Sequence, residues 1–99
     1  MFIQTEPTPN PLTLKFLPGR VVMEEGTAFF QTKENIADSP LAKRMFSVES
    51  VSSVFFVSDF ITITKEENID WNELKPALLA AIEDHYNSGD LVLAKQGGS

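Results

Sequence analysis

The stretch Val51–Lys65, VSSVFFVSDFITITK, decides the fold class of this chain. Two runs rich in β-branched and aromatic residues flank Ser58-Asp59, a pair suited to a two-residue hairpin loop. In the second run Ile61 and Ile63 alternate with Thr62 and Thr64, the period-2 signature of a strand with unlike faces. The first run is apolar on both parities, Val54 and Phe56 on one face and Phe55 and Val57 on the other, and so predicts a central strand. An antiparallel hairpin is the nucleus, and the remaining chain must extend its sheet and cover it.

Working towards the N-terminus, Leu12, Leu14 and Phe16 alternate with Thr13 and Lys15 and predict a half-buried strand that Pro18-Gly19 ends in a turn. Phe2–Thr5 is a shorter β-type run. It is stopped by Glu6-Pro7-Thr8-Pro9-Asn10-Pro11, where three prolines fix φ, remove donors and press the residues before them into extended conformations. Val21-Val22-Met23 predicts a third short strand. Glu24–Asp38 has no clean period and reads as a loop that Phe29, Phe30 and Ile36 pin to the core.

Two helices complete the set. Ser39-Pro40 combines a hydroxyl N-cap with Pro at the first helical position, and Leu41 and Met45, four apart, share the buried face of a helix running to Phe46. Asp70-Trp71-Asn72-Glu73 has the form of a capping box. Trp71, Leu74, Leu78, Ile82 and His85 then make one apolar stripe over residues 71–88. Pro76 predicts a kink or a weak first turn, and Gly89 a left-handed cap. The order is β-β-β-α-β-β-α, a two-layer α+β domain with two helices on one face of a largely antiparallel sheet. Residues 1–89 form the domain; 90–99, ending Gly97-Gly98-Ser99, read as a flexible tail or the start of a linker.

Ninety-nine residues make one domain, and 42% hydrophobic residues with eight Phe supply its core. Fourteen acidic against eight basic residues leave a charge of -6 with no basic run, which argues against nucleic acid and anionic membranes as partners. Cysteine is absent, so disulfides, thiolate nucleophiles and thiolate-held metals or clusters are excluded. No apolar stretch approaches the ~20 residues of a membrane span, and Met1–Glu6 resembles neither a secretory signal nor an Arg-rich presequence, so the expectation is a soluble intracellular protein.

No constellation of catalytic type stands out. His85, the single imidazole, sits on a helix stripe beside Glu83 and Asp84; with no second His and no Cys it reads as structural. Glu24-Glu25 and Glu66-Glu67 are adjacent pairs whose side chains diverge. Glycines do not reach phosphate-cradle spacing, and no Ser occupies a Gly-x-Ser-x-Gly elbow. The sequence predicts no enzyme. What folding alone does not explain is the stiff segment Thr8-Pro9-Asn10-Pro11 abutting a strand, and the Phe55, Phe56 and Phe60 rings, for at least two of which core packing is expected.

These residues together resemble the N-terminal domain of Nfu-type iron-sulfur cluster scaffold or carrier proteins. The resemblance runs through Met1–Thr5, Thr8–Pro11, Leu14-Lys15-Phe16, Pro18-Gly19, Ser39–Ala42, Val54-Phe55-Phe56, Asp59–Lys65 and Asp70-Trp71. It implies a non-catalytic interaction domain for assembly factors, apo-clients or its own C-terminal domain. In the family that C-terminal domain, absent here, carries a Cys-x-x-Cys pair and a [4Fe-4S] cluster, so no cofactor is expected on this chain. It also implies a bacterial cytoplasm, with the mitochondrial matrix as the alternative. Alternatives are a free-standing adaptor or a weak carboxylate iron binder of iron-sulfur metabolism and, less well supported, a small His/Glu-dependent enzyme. Partner contact is expected at Thr8, Pro9, Asn10, Pro11 and Lys15, with Arg20, Lys43 and Arg44 as rim cations.

Overall fold

The computed structural model describes residues 2–31 and 39–89. The expectations for Ile36 and for the 90–99 tail lie outside them. The elements are β1 (Gln4–Pro7), β2 (Thr13–Leu17), β3 (Thr27–Phe30), α1 (Pro40–Phe46), β4 (Val51–Val57), β5 (Phe60–Lys65) and α2 (Trp71–Ser88), the α+β order expected from sequence. The strands form one antiparallel sheet, β1-β2-β5-β4-β3. The hairpin that decided the fold class lies inside it, with β5 central.

The third strand is not where the sequence pattern put it. The Val22 and Met23 amides both donate to the Ser58 carbonyl, at 2.7 and 2.8 Å, so this run is a clamp across the β4–β5 turn and not a ladder strand. The Val22 and Met23 side chains are buried nonetheless, while Val21 is exposed. The strand is Thr27–Phe30, paired with β4. Its alternation is masked because Phe29 and Phe30 place rings on opposite faces: Phe30 is buried and Phe29 is 56% exposed. The loop reading therefore holds for Phe30 as an anchor and fails for Phe29. β1 is likewise displaced, to Gln4–Pro7; Pro7 closes an edge strand, where a missing donor is tolerated.

One sheet face carries the core. Leu14, Phe16, Phe30, Val54, Phe56, Ile61 and Ile63 are buried with Leu41, Ala42, Met45 and Phe46 of α1 and Leu74, Leu78 and Ile82 of α2. The helices thus share one face, as their apolar stripes require.

Local chemistry starts and stops these helices. The Ala42 amide donates to Ser39 Oγ at 3.0 Å and Pro40 opens α1. Ser39→Ala removes a fully buried cap and is expected to cost about 1–2 kcal/mol in urea unfolding. An unchanged midpoint would contradict that role. Asp70 holds the N-cap position of α2 but makes no side-chain cap bond, so the expected capping box does not form. The first turn hangs instead on the Asp70 carbonyl, which accepts from Glu73 and Leu74 at 3.0 and 3.1 Å. Helix α2 runs through Pro76 unbroken to Ser88, and Gly89 closes it at φ 79°. Trp71 ties its start to the sheet: the ring meets Phe16 edge-on at 6.3 Å and Nε1 donates to the Pro11 carbonyl at 3.1 Å.

Candidate interaction surface

The β1–β2 connection is held by its own polar groups. The Thr8 hydroxyl is within 2.9 Å of the Asn10 and Thr13 carbonyls and accepts from the Asn10 amide at 3.2 Å. Asn10 Oδ1 accepts from the Leu12 amide at 3.0 Å, the side-chain turn that Asn is suited to make. Pro9, Asn10 and Pro11 are exposed, so the segment presents a preformed, rigid edge to solvent.

Lys15 projects from β2 on the face away from the helices. Its Nζ lies 4.2 Å from the Phe60 ring centroid and 3.8 Å from Glu6 Oε1. Both contacts are partly exposed, so each is worth well under 1–2 kcal/mol; together they fix the direction of the side chain. Arg20 follows the far end of β2, its guanidinium 4.7 Å from the Tyr86 ring of α2. Lys43 and Arg44 are on α1, in the helical layer. The structure therefore joins Thr8–Pro11 to Lys15 and leaves Arg20 at the other end of β2 and Lys43 and Arg44 across the sheet. The eight residues do not make one patch.

What the sequence did not foresee is the sheet face opposite the helices, left bare by every element among the described residues. Glu6, Lys15, Thr62, Phe55 and Phe29 align in one cross-strand row. Gln4 pairs with Leu17, Phe60 with Val57, and Val57 with Thr27, beside it. Of the three rings near the turn only Phe56 enters the core; Phe55 and Phe60 are half-buried on the bare face, contrary to the expectation that two would be core. Phe55 meets Phe29 edge-on at 5.7 Å. The signal was the two-sided apolar pattern of β4, which here has a helical layer on one side only.

His85 is fully buried and packs edge-on against Tyr86 at 5.1 Å. Burial pushes the Tyr86 hydroxyl above its ordinary value near 10, against the opposing pull of Arg20. A raised acid pKa means the folded state holds its proton more tightly, so this stabilisation is intact below about pH 10 and lost as pH rises through the folded value. Tyr86→Phe is expected to flatten that alkaline decline in unfolding measured from pH 8 to 11; a parallel decline would contradict it. Among the described residues no three His, Asp or Glu side chains gather as metal ligands, and the chain has no cysteine. A thiolate-held cluster does not fit this domain.

The sequence and the fold have known counterparts. Residues 3–89 match the family described as scaffold protein Nfu/NifU N terminal. Human NFU1 iron-sulfur cluster scaffold homolog, mitochondrial, is 54% identical over 90 residues, covering 90% of this chain and 35% of its own length. Arabidopsis thaliana NifU-like protein 4, mitochondrial, is 51% identical over 89 residues, covering 90% and 31%. The chain thus spans about a third of the length of the curated relatives it matches. The solution structure of a NifU-like protein from Saccharomyces cerevisiae superposes with a TM-score of 0.83 at 27% identity, over 96% of this chain and 86% of that one. A Staphylococcus aureus crystal structure gives 0.71 at 25% identity, over 83% and 99%. On the extent of the family match and the identity to these relatives, the chain belongs to the Nfu/NifU N-terminal scaffold-protein family.

Proposed function

We propose that this chain is a non-catalytic protein-contact domain of iron-sulfur cluster assembly, residues 1–89 forming the domain and 90–99 the tail that leads from it. It recognises assembly factors, apo-client proteins or a cluster-carrying C-terminal domain of the same protein, while the cluster is held elsewhere. The observation that carries the reading is the pairing of family membership with a chain that has no thiolate and whose histidine is sealed in the core. Contact includes the rigid Thr8–Pro11 edge and Lys15, because a preformed segment loses little entropy on docking. Arg20, Lys43 and Arg44 serve as peripheral cations to partners that wrap around the domain. The mitochondrial names of the relatives support the matrix over a bacterial cytoplasm as its place of work.

Calorimetric titration of the chain with a cluster-assembly protein and, separately, with ferrous iron tests this reading. Saturable protein binding with no stoichiometric uptake of iron is the expected result. Tight one-to-one iron binding without protein binding would overturn it and favour the carboxylate iron-binding alternative.

A further inference from the structure

The bare face is not evenly apolar. Leu17, Phe60, Val57, Phe55 and Phe29 form a diagonal stripe across it, while Thr13, Thr62, Thr64 and Ser53 place hydroxyls on the rest beside Gln4, Glu6 and Lys15. At the β1 corner the stripe ends in a cleft of about 260 Å³ lined by Phe2, Gln4, Leu17, Gly19 and Asp59. Phe2 and Phe29, at the two ends, are 78% and 56% exposed, two of the three large hydrophobic side chains most open to solvent among the described residues. Isolated exposed rings are ordinary; here half-buried Leu17, Phe60, Val57 and Phe55 link the two exposed ones into one apolar line.

Shape and charge select the occupant. Three interstrand gaps of about 4.8 Å separate Leu17 on β2 from Phe29 on β3, and a fourth to the cleft at β1 makes stripe and cleft together about 20 Å long and roughly one side-chain row wide. An α-helix of about 13 residues has that length and, at about 10 Å, that breadth. The footprint of roughly 200 Å² is far below the ~800 Å² per partner of a stable interface between two globular faces, which disfavours a second copy packing sheet on sheet. Asp59 stands at the cleft, and exposed Glu24 and Glu25 follow at the same end, where Met23 is bonded to Ser58. Lys15, the one cation on this face among the described strand residues, is already taken up by Glu6 and Phe60. The surround is acidic in a chain of net charge -6.

We propose that this face docks a basic amphipathic helix of a partner protein, its apolar side chains lying along Leu17, Phe60, Val57, Phe55 and Phe29 and one Lys or Arg entering the cleft at Asp59. Such a side chain lays its aliphatic stem against Phe2 and Leu17 and brings its charge to the carboxylate. The inference deepens the contact role proposed above and rests on it.

The probe is a synthetic peptide of about 14 residues with Leu at i, i+3, i+4 and i+7 spacing and Lys between, titrated calorimetrically into the full chain. Saturable binding is expected, weakened at least about tenfold by Phe29→Thr with Phe55→Thr and about fivefold by Asp59→Asn. Asp59→Asn keeps the shape of the turn and keeps the test valid should the double variant unfold. Equal binding of a peptide with Glu in place of Lys, or undiminished binding by the variants, would overturn the proposal. So would sedimentation showing a dimer that the double variant dissolves, which assigns the face to a second copy, or binding to anionic phosphatidylglycerol vesicles in place of the peptide. If an assembly protein binds the double variant as well as wild type, only the docking inference fails; if the peptide docks and no assembly protein binds, the contact role in cluster assembly fails.

Discussion

Replacing Phe56 with Ala is expected to cost about 3–5 kcal/mol, whereas replacing its neighbour Phe55 with Thr costs about 1 kcal/mol or less. The two rings are adjacent in a strand and so on opposite faces. Phe56 is fully buried, tilted against Phe30 at 5.7 Å, and its removal leaves a cavity that the two helices cannot collapse into. Phe55 is half-buried against Phe29 on the bare face, where water replaces the lost ring and Thr keeps the strand preference. At about 4–8 °C per kcal/mol for a domain of this size, the midpoints should separate by at least about 8 °C. Equal losses would mean that both sheet faces are covered, and the one-sided architecture would be wrong.

The second large effect runs in the opposite direction. Pro76 sits exposed inside α2, where it removes the amide that would bond to the Asn72 carbonyl and crowds that carbonyl with its ring. Pro76→Ala is expected to stabilise by about 2 kcal/mol: the roughly 3 kcal/mol propensity gap, less about 1 kcal/mol for the freedom Ala returns to the unfolded chain. The thermal midpoint should rise by about 8 °C or more. A fall would show that the ring makes contacts that outweigh its backbone cost.

Signals that are local in the chain carried the fold reading. The β4–β5 hairpin, the Ser39 cap, the α2 stripe and the Gly89 stop each depend on residues within a turn or two of one another, and each is present. Val21–Met23 failed because a β-branched run signals extended, buried backbone without saying what its amides bond to; here they reach the Ser58 carbonyl. The capping box failed because Asp70 serves α2 with its carbonyl and not its side chain. Strand order is set by pairings distant in sequence, such as β2 with β5, and had no local signature.

The geometry of the candidate surface was legible in part for the same reason. The rigidity of Thr8–Pro11 is written in its prolines and Asx chemistry. Whether Lys15, Arg20, Lys43 and Arg44 converge depends on which side of the sheet each occupies, and the topology separates them. The apolar stripe was hidden because an apolar parity in β4 looks the same whether a layer covers it or solvent does.

The account rests on the sheet face opposite the helices being the side that meets partners. Amide chemical-shift mapping of the isotope-labelled chain during titration with a cluster-assembly protein reads this residue by residue. The account predicts perturbations at Leu17, Phe29, Phe55, Val57 and Phe60, extending through the Thr8–Lys15 edge. Perturbations confined to α1 and α2, with the strand residues of the bare face unmoved at saturation, would contradict it.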